Sequence, residues 1–157
     1  MRNQKKFNKI IIGGTFDRFH TGHQFMIDVA CSLARHIIIG LTSPLFLERI
    51  AKKNFADMIE AYETRKQAVE RYLRQKDHQD WIIMPIDDKW GGGDKADADA
   101  LIVSEETYAE GVRINRERTA HGRPPLALVV IPQVIDEEGK TYSSTRLRQE
   151  DHKQTKD

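Results

Sequence analysis

Five short apolar runs, rich in isoleucine and valine, recur along the chain between longer amphipathic or polar stretches. Runs of this length, bounded by Gly, Pro or acidic residues, are typical of buried β-strands. The predicted strands are Lys9–Ile12, His36–Leu41, Trp81–Ile86, Ala100–Val103 and Leu126–Ile131. Because each run is continuously apolar, the sequence favours a parallel sheet that is covered on both faces.

Between these runs, apolar residues repeat at steps of three and four, which is the period of one helix face. The repeat is clear in Gly22–Arg35 and weaker in the charged stretch Glu60–Lys76, and a third helix is predicted from Ser104 to about Ala120. Two glutamates follow Ser104, a combination typical of a helix start. Three consecutive glycines within Asp88–Ala98 predict a loop there.

The alternation of strands and helices predicts an α/β fold: a doubly wound, Rossmann-like, five-stranded parallel sheet with helices on both faces. All 157 residues are expected to form a single domain, with a core at about 8–150 and frayed termini. Ser143 or Ser144 is expected to cap a last short helix. In folds of this class, ligands bind at the carboxyl ends of the strands, where the strand order reverses.

The charge balance and the cysteine content limit the classes of protein to which this chain can belong. Lys and Arg number 25 and Asp and Glu 24, so the net charge of +1 argues against a general DNA- or RNA-coating protein. A single cysteine, Cys31, excludes an intrachain disulfide and favours a reducing compartment. The apolar run Ile10–Ile12 is far too short for a signal peptide or a bilayer span. We therefore expect a cytoplasmic protein that acts on small molecules and binds neither nucleic acid nor membrane.

The segment after the first strand, Gly13–His23, carries the candidate chemistry. Its glycines allow a tight turn and close approach of a ligand to the backbone, yet it matches neither the dinucleotide fingerprint nor the Walker A loop. His20 and His23 lie three residues apart at the entry to a helix, so both imidazoles can point at a phosphate near the helix N-terminus. Three alternatives stay open: a metal site completed by Asp17, an ordinary capped helix start, and a Cys- or Ser-based hydrolase, although no nucleophile elbow is present.

Two motifs resemble those of a known superfamily. Residues 13–23, GGTFDRFHTGH, resemble the HxGH signature that nucleotidyltransferases share with class I aminoacyl-tRNA synthetases, and Tyr142–Arg148, YSSTRLR, resembles the ISSTxIR motif of the same superfamily. Two further segments, Leu41–Ser43 and Ser104–Tyr108, resemble the archaeal and eukaryotic type of the phosphopantetheine adenylyltransferase family. The resemblance covers roughly residues 8–150. Members of that family transfer AMP from ATP to 4′-phosphopantetheine, giving dephospho-coenzyme A and pyrophosphate.

The resemblance implies roles for the motif residues in binding ATP. His23 would stabilise the transition state, and His20 would contact the triphosphate. Arg146 would favour the departure of pyrophosphate. ATP contacts are expected from the first turn and the second motif, at Gly13, Gly14, Thr15, Phe16, His20, His23, Ser143, Ser144, Thr145 and Arg146.

The resemblance also implies where the second substrate binds. Thr15 would hydrogen-bond a phosphate and Thr42 would contact the substrate, while Lys52 or Lys53 would neutralise the paired phosphates. Mg²⁺ is expected to arrive bound to ATP, without protein metal ligands, because a triphosphate needs its charge neutralised. We expect a monomer or a small homo-oligomer.

Charged residues outside the motifs are expected to be mainly surface features. Glu63 and Arg65 are expected to pack their helix against the sheet as a solvated pair rather than to act in catalysis. For Arg113, Arg116 and Arg118, a solvated helix face and a place at the site are equal alternatives.

Three rival functions are compatible with the sequence. A sister enzyme, such as a glycerol-phosphate or choline-phosphate cytidylyltransferase or an FMN adenylyltransferase, is disfavoured because KTYSSTRLR replaces the RTEGISTT-like run of cytidylyltransferases. A nucleotide-binding sensor without catalysis would not need both histidines, and an RNA-binding relative conflicts with the balanced charge. The chain departs from the pantetheine family at Trp90–Gly93, where an aromatic-Gly-Pro sequence is expected.

Overall fold

A computed structural model of the protein describes residues 4–50, 58–78, 80–140 and 153. In chain order its elements are β1 (Phe7–Gly14), α1 (Thr21–Leu33), β2 (Ala34–Thr42), α2 (Pro44–Ile50), α3 (Tyr62–Gln75), β3 (Trp81–Ile86), β4 (Ala100–Ser104), α4 (Tyr108–Ala120) and β5 (Ala127–Ile131). All five predicted strands are present, and their ends lie within two residues of the predicted ones.

The five strands form one parallel sheet in the order β3-β2-β1-β4-β5. Every neighbouring pair is parallel, with Ile12 beside Ile39 across β1 and β2, and Ile10 beside Ala100 across β1 and β4. The chain builds outward from β1 to β3 and then returns to add β4 and β5 on the other side. The strand order therefore reverses between β1 and β4, and the predicted fold class is confirmed.

Alternate strand residues face opposite sides of the sheet, and helices cover both sides. The larger cluster joins four strands, β1, β2, β4 and β5, to α1 and α3; its members include Ile10, Ile12, Ile37, Ile39, Ile102, Ile131, Ile27, Ala30, Val69 and Leu73. The smaller cluster joins β1 and β4 to α4; its buried members are Ile11, Leu101, Val103, Ile114 and Leu126. Burying each of the larger side chains contributes roughly 1.5–3 kcal/mol, so these two clusters fix the sheet that carries the site.

β3 is an edge strand, which explains how it passes through Pro85. Ile37 N donates to Asp80 O at one end of the β2–β3 pair, and Ser43 N donates to Ile86 O at the other. Because alternate residues of a parallel strand direct their backbone groups to the same neighbour, even-numbered residues of β3 face β2. The nitrogen of Pro85 therefore faces the open edge, where its missing N–H costs no sheet hydrogen bond.

Two helices differ from the prediction: α2 was not predicted, and α4 begins later than predicted. The seven-residue helix α2 was not predicted, because it is too short to show a helical repeat; Ser43 Oγ accepts from Phe46 N at 3.2 Å near its start. Helix α4 begins at Tyr108 rather than Ser104. Ser104 and Thr107 bond to each other's backbone N–H groups, at 2.9 and 3.3 Å, and so form a separate turn first.

The predicted last helix, at Ser143 or Ser144, lies outside the described residues. Within the described part of the chain, no helix combines the length and the apolar character needed to cross a membrane.

Candidate active site

The turn after β1 has an unusual backbone that brings its polar residues together. Phe16 and Arg18 both have positive φ, at 53° and 46°, a conformation that costs a non-glycine residue about 1 kcal/mol or more. Asp17 is fully buried and holds the turn: its carboxylate accepts from Arg18 Nη1 at 2.7 Å and from Glu60 N at 2.8 Å. Glu60 Oε1 in turn accepts from Arg18 N at 2.6 Å. The turn is thus held by Asp17, within the histidine motif, and by Glu60, which comes from outside it.

The two motif histidines form the cap of α1. His20 is the N-cap residue, and its Nδ1 accepts a hydrogen bond from Gly22 N at 3.0 Å. His23 Nδ1 accepts from His20 N at 3.3 Å, and the two rings stack with centroids 3.8 Å apart. Because each Nδ1 accepts from a backbone N–H, each neutral ring carries its proton on Nε2. The capped helix start considered above is therefore real, and the histidines themselves provide the cap.

His23 is held in its neutral form. Its pKa is lowered from 6.5 to about 3, first by burial and then by the nearby His20, while Asp17 acts in the opposite direction. The rings of Phe16 and Phe19 lie 5.1 and 5.6 Å from the His23 ring and supply much of its apolar surroundings. At neutral pH His23 is therefore an uncharged ring with a proton on Nε2 that is available for donation.

Arg65 of α3 ties the turn after β1 to the end of β2. Arg65 is only 1% exposed and bonds the end of β2, so it packs its helix against the sheet as predicted, but the prediction that it is solvated is wrong. Nη1 donates to the carbonyl oxygens of Thr15 and Thr42, at 2.9 and 3.0 Å, and Nε donates to Glu60 O at 2.9 Å. Burial lowers the pKa of Arg65, which the nearby Asp17 counteracts. Arg65 thereby sets the positions of both threonines predicted to contact substrate.

A cavity of about 310 Å³ lies at the carboxyl ends of the central strands. It is bounded by β1, β2 and β4, by the loop after β3, and by the start of α4. Gly13, Gly14 and Thr42, which were predicted from the sequence, line it. Thr15, Phe16, His20 and His23 are not part of this lining and lie on the chain that continues from its Gly13–Gly14 edge.

Glycine keeps the floor of the cavity flat. A Cβ at Gly40 would lie 2.7 Å from Ile86 Cδ1 and 2.8 Å from Ile86 Cγ1, closer than real side chains approach. Ile86 therefore covers bare backbone at this point. The side chain of Phe16, by contrast, is 1% exposed and belongs to the larger core cluster, so only its backbone is placed to contact a nucleotide.

Several lining residues were not predicted from the sequence: Phe46, Ile86, Trp90, Glu110, Gly111 and Ile114. The only signal available for them is position, since Ile86 ends a predicted strand and the α4 residues follow another. The predicted site residues Lys52, Lys53, Ser143, Ser144, Thr145 and Arg146 lie outside the described residues.

Metal-ligating side chains are not clustered in the described segments. Among residues 4–50, 58–78, 80–140 and 153, no group of three or more His, Cys, Asp or Glu side chains could hold a metal ion. Asp17, considered above as a third ligand beside the histidines, instead bonds Arg18 and the Glu60 backbone.

The chain is similar to known proteins along most of its length. A family model described as cytidylyltransferase-like matches residues 11–150. The phosphopantetheine adenylyltransferase of Methanopyrus kandleri is 41% identical over 147 residues, covering 92% of this chain and 91% of that protein. The enzyme of the same name from Pyrococcus furiosus is 36% identical over 146 residues, covering 92% and 89%. A protein of unknown function from Archaeoglobus fulgidus has a solved structure with a TM-score of 0.67 at 33% identity, covering 78% of this chain and 88% of that chain.

Proposed function

Because the chain belongs to the cytidylyltransferase-like family, and within it to the phosphopantetheine adenylyltransferases, we propose that it transfers AMP from ATP to 4′-phosphopantetheine. The products are dephospho-coenzyme A and pyrophosphate, which makes the protein a nucleotidyltransferase of coenzyme A biosynthesis. The observation that carries this function is the similarity to enzymes of that name along nearly the whole chain. We expect the enzyme to act in the cytoplasm.

The reaction needs placement and charge stabilisation more than it needs a base. An oxygen of the 4′-phosphate attacks the α-phosphorus of ATP, and the bond from that phosphorus to the bridging oxygen of pyrophosphate breaks. A phosphate monoester has a second pKa near 6 and is already largely ionised at pH 7. The rate therefore depends on in-line alignment of the two phosphates and on donors that face the charge developing on the α-phosphoryl group.

The histidine pair supports the donor role. The neutral tautomers of His20 and His23 each carry a proton on Nε2, while their Nδ1 atoms are occupied by backbone N–H groups. A neutral donor that is already fixed in place stabilises developing negative charge without reorganising during the reaction. The N-terminus of α1 adds a partial positive charge at the same point.

The cavity supports a substrate with an apolar arm. Its lining is mainly apolar side chains and glycine backbone, with Thr42, Thr107 and Glu110 among the polar residues. We propose that the pantetheine arm occupies this cavity, with its phosphate directed to Thr15 at the glycine-rich turn. Thr42 lies at the cavity edge nearest Arg65, where its position is fixed by the hydrogen bond from Arg65 Nη1.

The remaining roles rest on the motifs alone. We propose that Lys52 or Lys53 neutralises the paired phosphates. Ser143, Ser144 and Thr145 would bind the β- and γ-phosphates, and Arg146 the departing pyrophosphate. Mg²⁺ would enter as part of the MgATP substrate and neutralise charge on the triphosphate.

Pyrophosphate release by the purified protein tests the reaction. With MgATP, release is expected with 4′-phosphopantetheine and not with FMN, phosphocholine or glycerol 3-phosphate, and CTP should not replace ATP. Release with another pair would move the substrate assignment to a sister enzyme. ATP binding without release with any acceptor would contradict catalysis and favour a nucleotide sensor.

Two substitutions of His23 distinguish its proposed role as a hydrogen-bond donor to the substrate from its role in the cap of α1. In His23→Asn the amide oxygen can still accept from His20 N, but the donor at the Nε2 position is lost, so we expect kcat to fall by about 10²–10³. In His23→Gln the amide nitrogen can reach the Nε2 position, so more activity should be retained than in His23→Asn. Equal activity of wild type and His23→Asn would remove this residue from the mechanism.

A further inference from the structure

The loop after β3 forms one wall of the cavity, yet its sequence alone would leave it poorly fixed. Trp90, Gly91 and Gly93 line the cavity, and three consecutive glycines lose more backbone entropy on ordering than other residues do. Gly91 and Gly92 have positive φ, at 58° and 74°. A wall of this composition needs bonds from outside the loop to keep a constant position.

The first part of the loop is held by Asp88. Its Oδ1 accepts from Trp90 N at 2.9 Å and from Gly91 N at 3.0 Å. Gly93 N then donates to Trp90 O at 2.9 Å, which closes a turn. These bonds are all local, so they shape the turn without fixing its distance from the opposite wall of the cavity.

Arg118 supplies the bonds from outside. It lies on α4, its side chain is 3% exposed, and its Nη1 donates to Gly93 O at 2.9 Å and Ala96 O at 2.8 Å. Its Nε donates to Pro124 O at 2.7 Å. One guanidinium group thus binds the wall loop at two carbonyls and the segment before β5 at a third. The alternative that Arg118 belongs to a solvated helix face is therefore wrong.

Helix α4 is a firm support for this anchor. At Gly111 a Cβ would lie 3.0 Å from Leu128 Cδ2 and 3.1 Å from Val103 Cγ1, so the helix sits directly against the sheet. Ile114, one turn further along, contacts Gly93, where a Cβ would lie 3.2 Å from Ile114 Cγ2. Gly111, Ile114 and Arg118 lie on one helix face at steps of three and four. This face connects the sheet, the cavity and the wall loop.

We propose that Arg118 is a positioning residue for the second substrate: it sets the width of the cavity by holding the loop Trp90–Ala96 against α4. This inference rests on the proposed function, in which the cavity receives the organic arm of the phosphate acceptor. Arg118 does not line the cavity itself and acts through the carbonyls of Gly93 and Ala96. A loop that moves away from α4 weakens acceptor binding, while ATP contacts at the α1 N-terminus are unaffected.

Arg118→Lys is the variant that tests this role, because lysine keeps the charge but cannot reach carbonyls in a planar fork. The matched control is Asn115→Ala on the same helix. Asn115 Nδ2 donates to Leu126 O at 2.9 Å and its Oδ1 accepts from Leu126 N at 2.7 Å, so the control loses anchoring bonds without touching the wall loop. Both variants are compared by steady-state kinetics with 4′-phosphopantetheine and ATP varied separately.

We expect Arg118→Lys to raise KM for 4′-phosphopantetheine about tenfold while KM for ATP changes by less than about twofold. Asn115→Ala should leave the ratio of the two KM values as in the wild type. If Arg118→Lys raises both KM values by the same factor, or leaves both unchanged, its role is structural and the proposal is overturned.

Hydrogen–deuterium exchange gives a second readout that does not depend on turnover. In the wild type, the amides of Gly93 and Ala96 should be protected together with those of α4, and exchange near 89–96 should accelerate in Arg118→Lys but not in Asn115→Ala. Rapid exchange of the loop in the wild type would overturn the proposal even if Arg118→Lys fails to fold. Absence of turnover in the wild type, with the loop protected, would count against the proposed function and leave the anchoring role supported.

Discussion

His23 links the stability of the fold to pH, because its surroundings keep it neutral. Burial, with a contribution from His20, lowers its pKa from 6.5 to about 3. Between these two values the unfolded chain binds a proton that the folded protein does not. Stability therefore rises with pH across this window and is lost as the pH falls from 6.5 towards 3.

The size of the effect follows from the two pKa values. At pH 7 the imidazole is mostly neutral in both states, so this residue changes stability little. At pH 5 the unfolded state gains about 2 kcal/mol relative to the folded state, at ~1.4 kcal/mol for each pH unit below the unfolded-state pKa. With a urea m-value of roughly 2 kcal/mol/M, the denaturation midpoint should move by about 1 M.

Comparison with His23→Asn isolates this contribution from the other groups that titrate between pH 7 and 5. The asparagine keeps an acceptor for His20 N but does not titrate, so urea denaturation should show the wild type losing about 2 kcal/mol more than the variant. The imidazole Cε1–H signal of His23 should also stay constant in NMR spectra over this range. Equal losses in the two proteins, or a His23 signal that titrates near pH 6.5, would refute the neutral buried form.

Three further substitutions test the packing around the site. Arg65→Met leaves three backbone carbonyls without their donor and should destabilise the fold by about 3 kcal/mol or more in urea denaturation, against less than about 0.5 kcal/mol for the exposed Arg74→Met; similar losses would contradict the anchoring role. Gly40→Ala should cost about 1–2 kcal/mol through its contact with Ile86, and a cost that is unchanged in an Ile86→Ala background would rule out that contact. Pro85→Val restores an N–H at the open edge, so we expect concentration-dependent association by light scattering with little change in stability; a variant that stays as monodisperse as the wild type would show that the edge is blocked by other means.

The fold could be predicted from the sequence because its central strands, β1, β2 and β4, are largely buried on both faces. Continuous apolar runs such as Ala100–Val103 specify strand type without any tertiary information, and the intervening helical periods make the sheet parallel. The short helix α2 could not be predicted this way, since seven residues are too few for a period to show. The start of α4 was misplaced because Ser104 has the sequence of a cap, whereas its hydroxyl bonds to Thr107 in a turn of its own.

The candidate site was predictable only where its residues form a local motif. The pairing of His20 and His23 follows from their spacing, and Gly13 and Gly14 from the turn that they make possible. The cavity lining comes from four separate stretches of chain, and only the strand order brings them together. Glu110 and Ile114 carry no sign in the sequence of the shared cavity that they line.

The two buried arginines show why charge in a helix is a poor guide to exposure in this fold. Arg65 and Arg118 have side chains that are 1% and 3% exposed, and each donates to backbone carbonyls of irregular segments near the cavity. An apolar side chain in either place would take this donor away from carbonyls that lie outside regular strands and helices, such as those of Thr15 and Gly93. A guanidinium group has five donors in a rigid plane, so it can bond several of them at once. Arg65 fixes the ends of β1 and β2, and Arg118 fixes the connection from β3 to β4. The loops that form the site are therefore anchored by arginines of the helices in addition to their own Asp17 and Asp88, and replacing either arginine by lysine should disturb substrate placement before it disturbs the sheet.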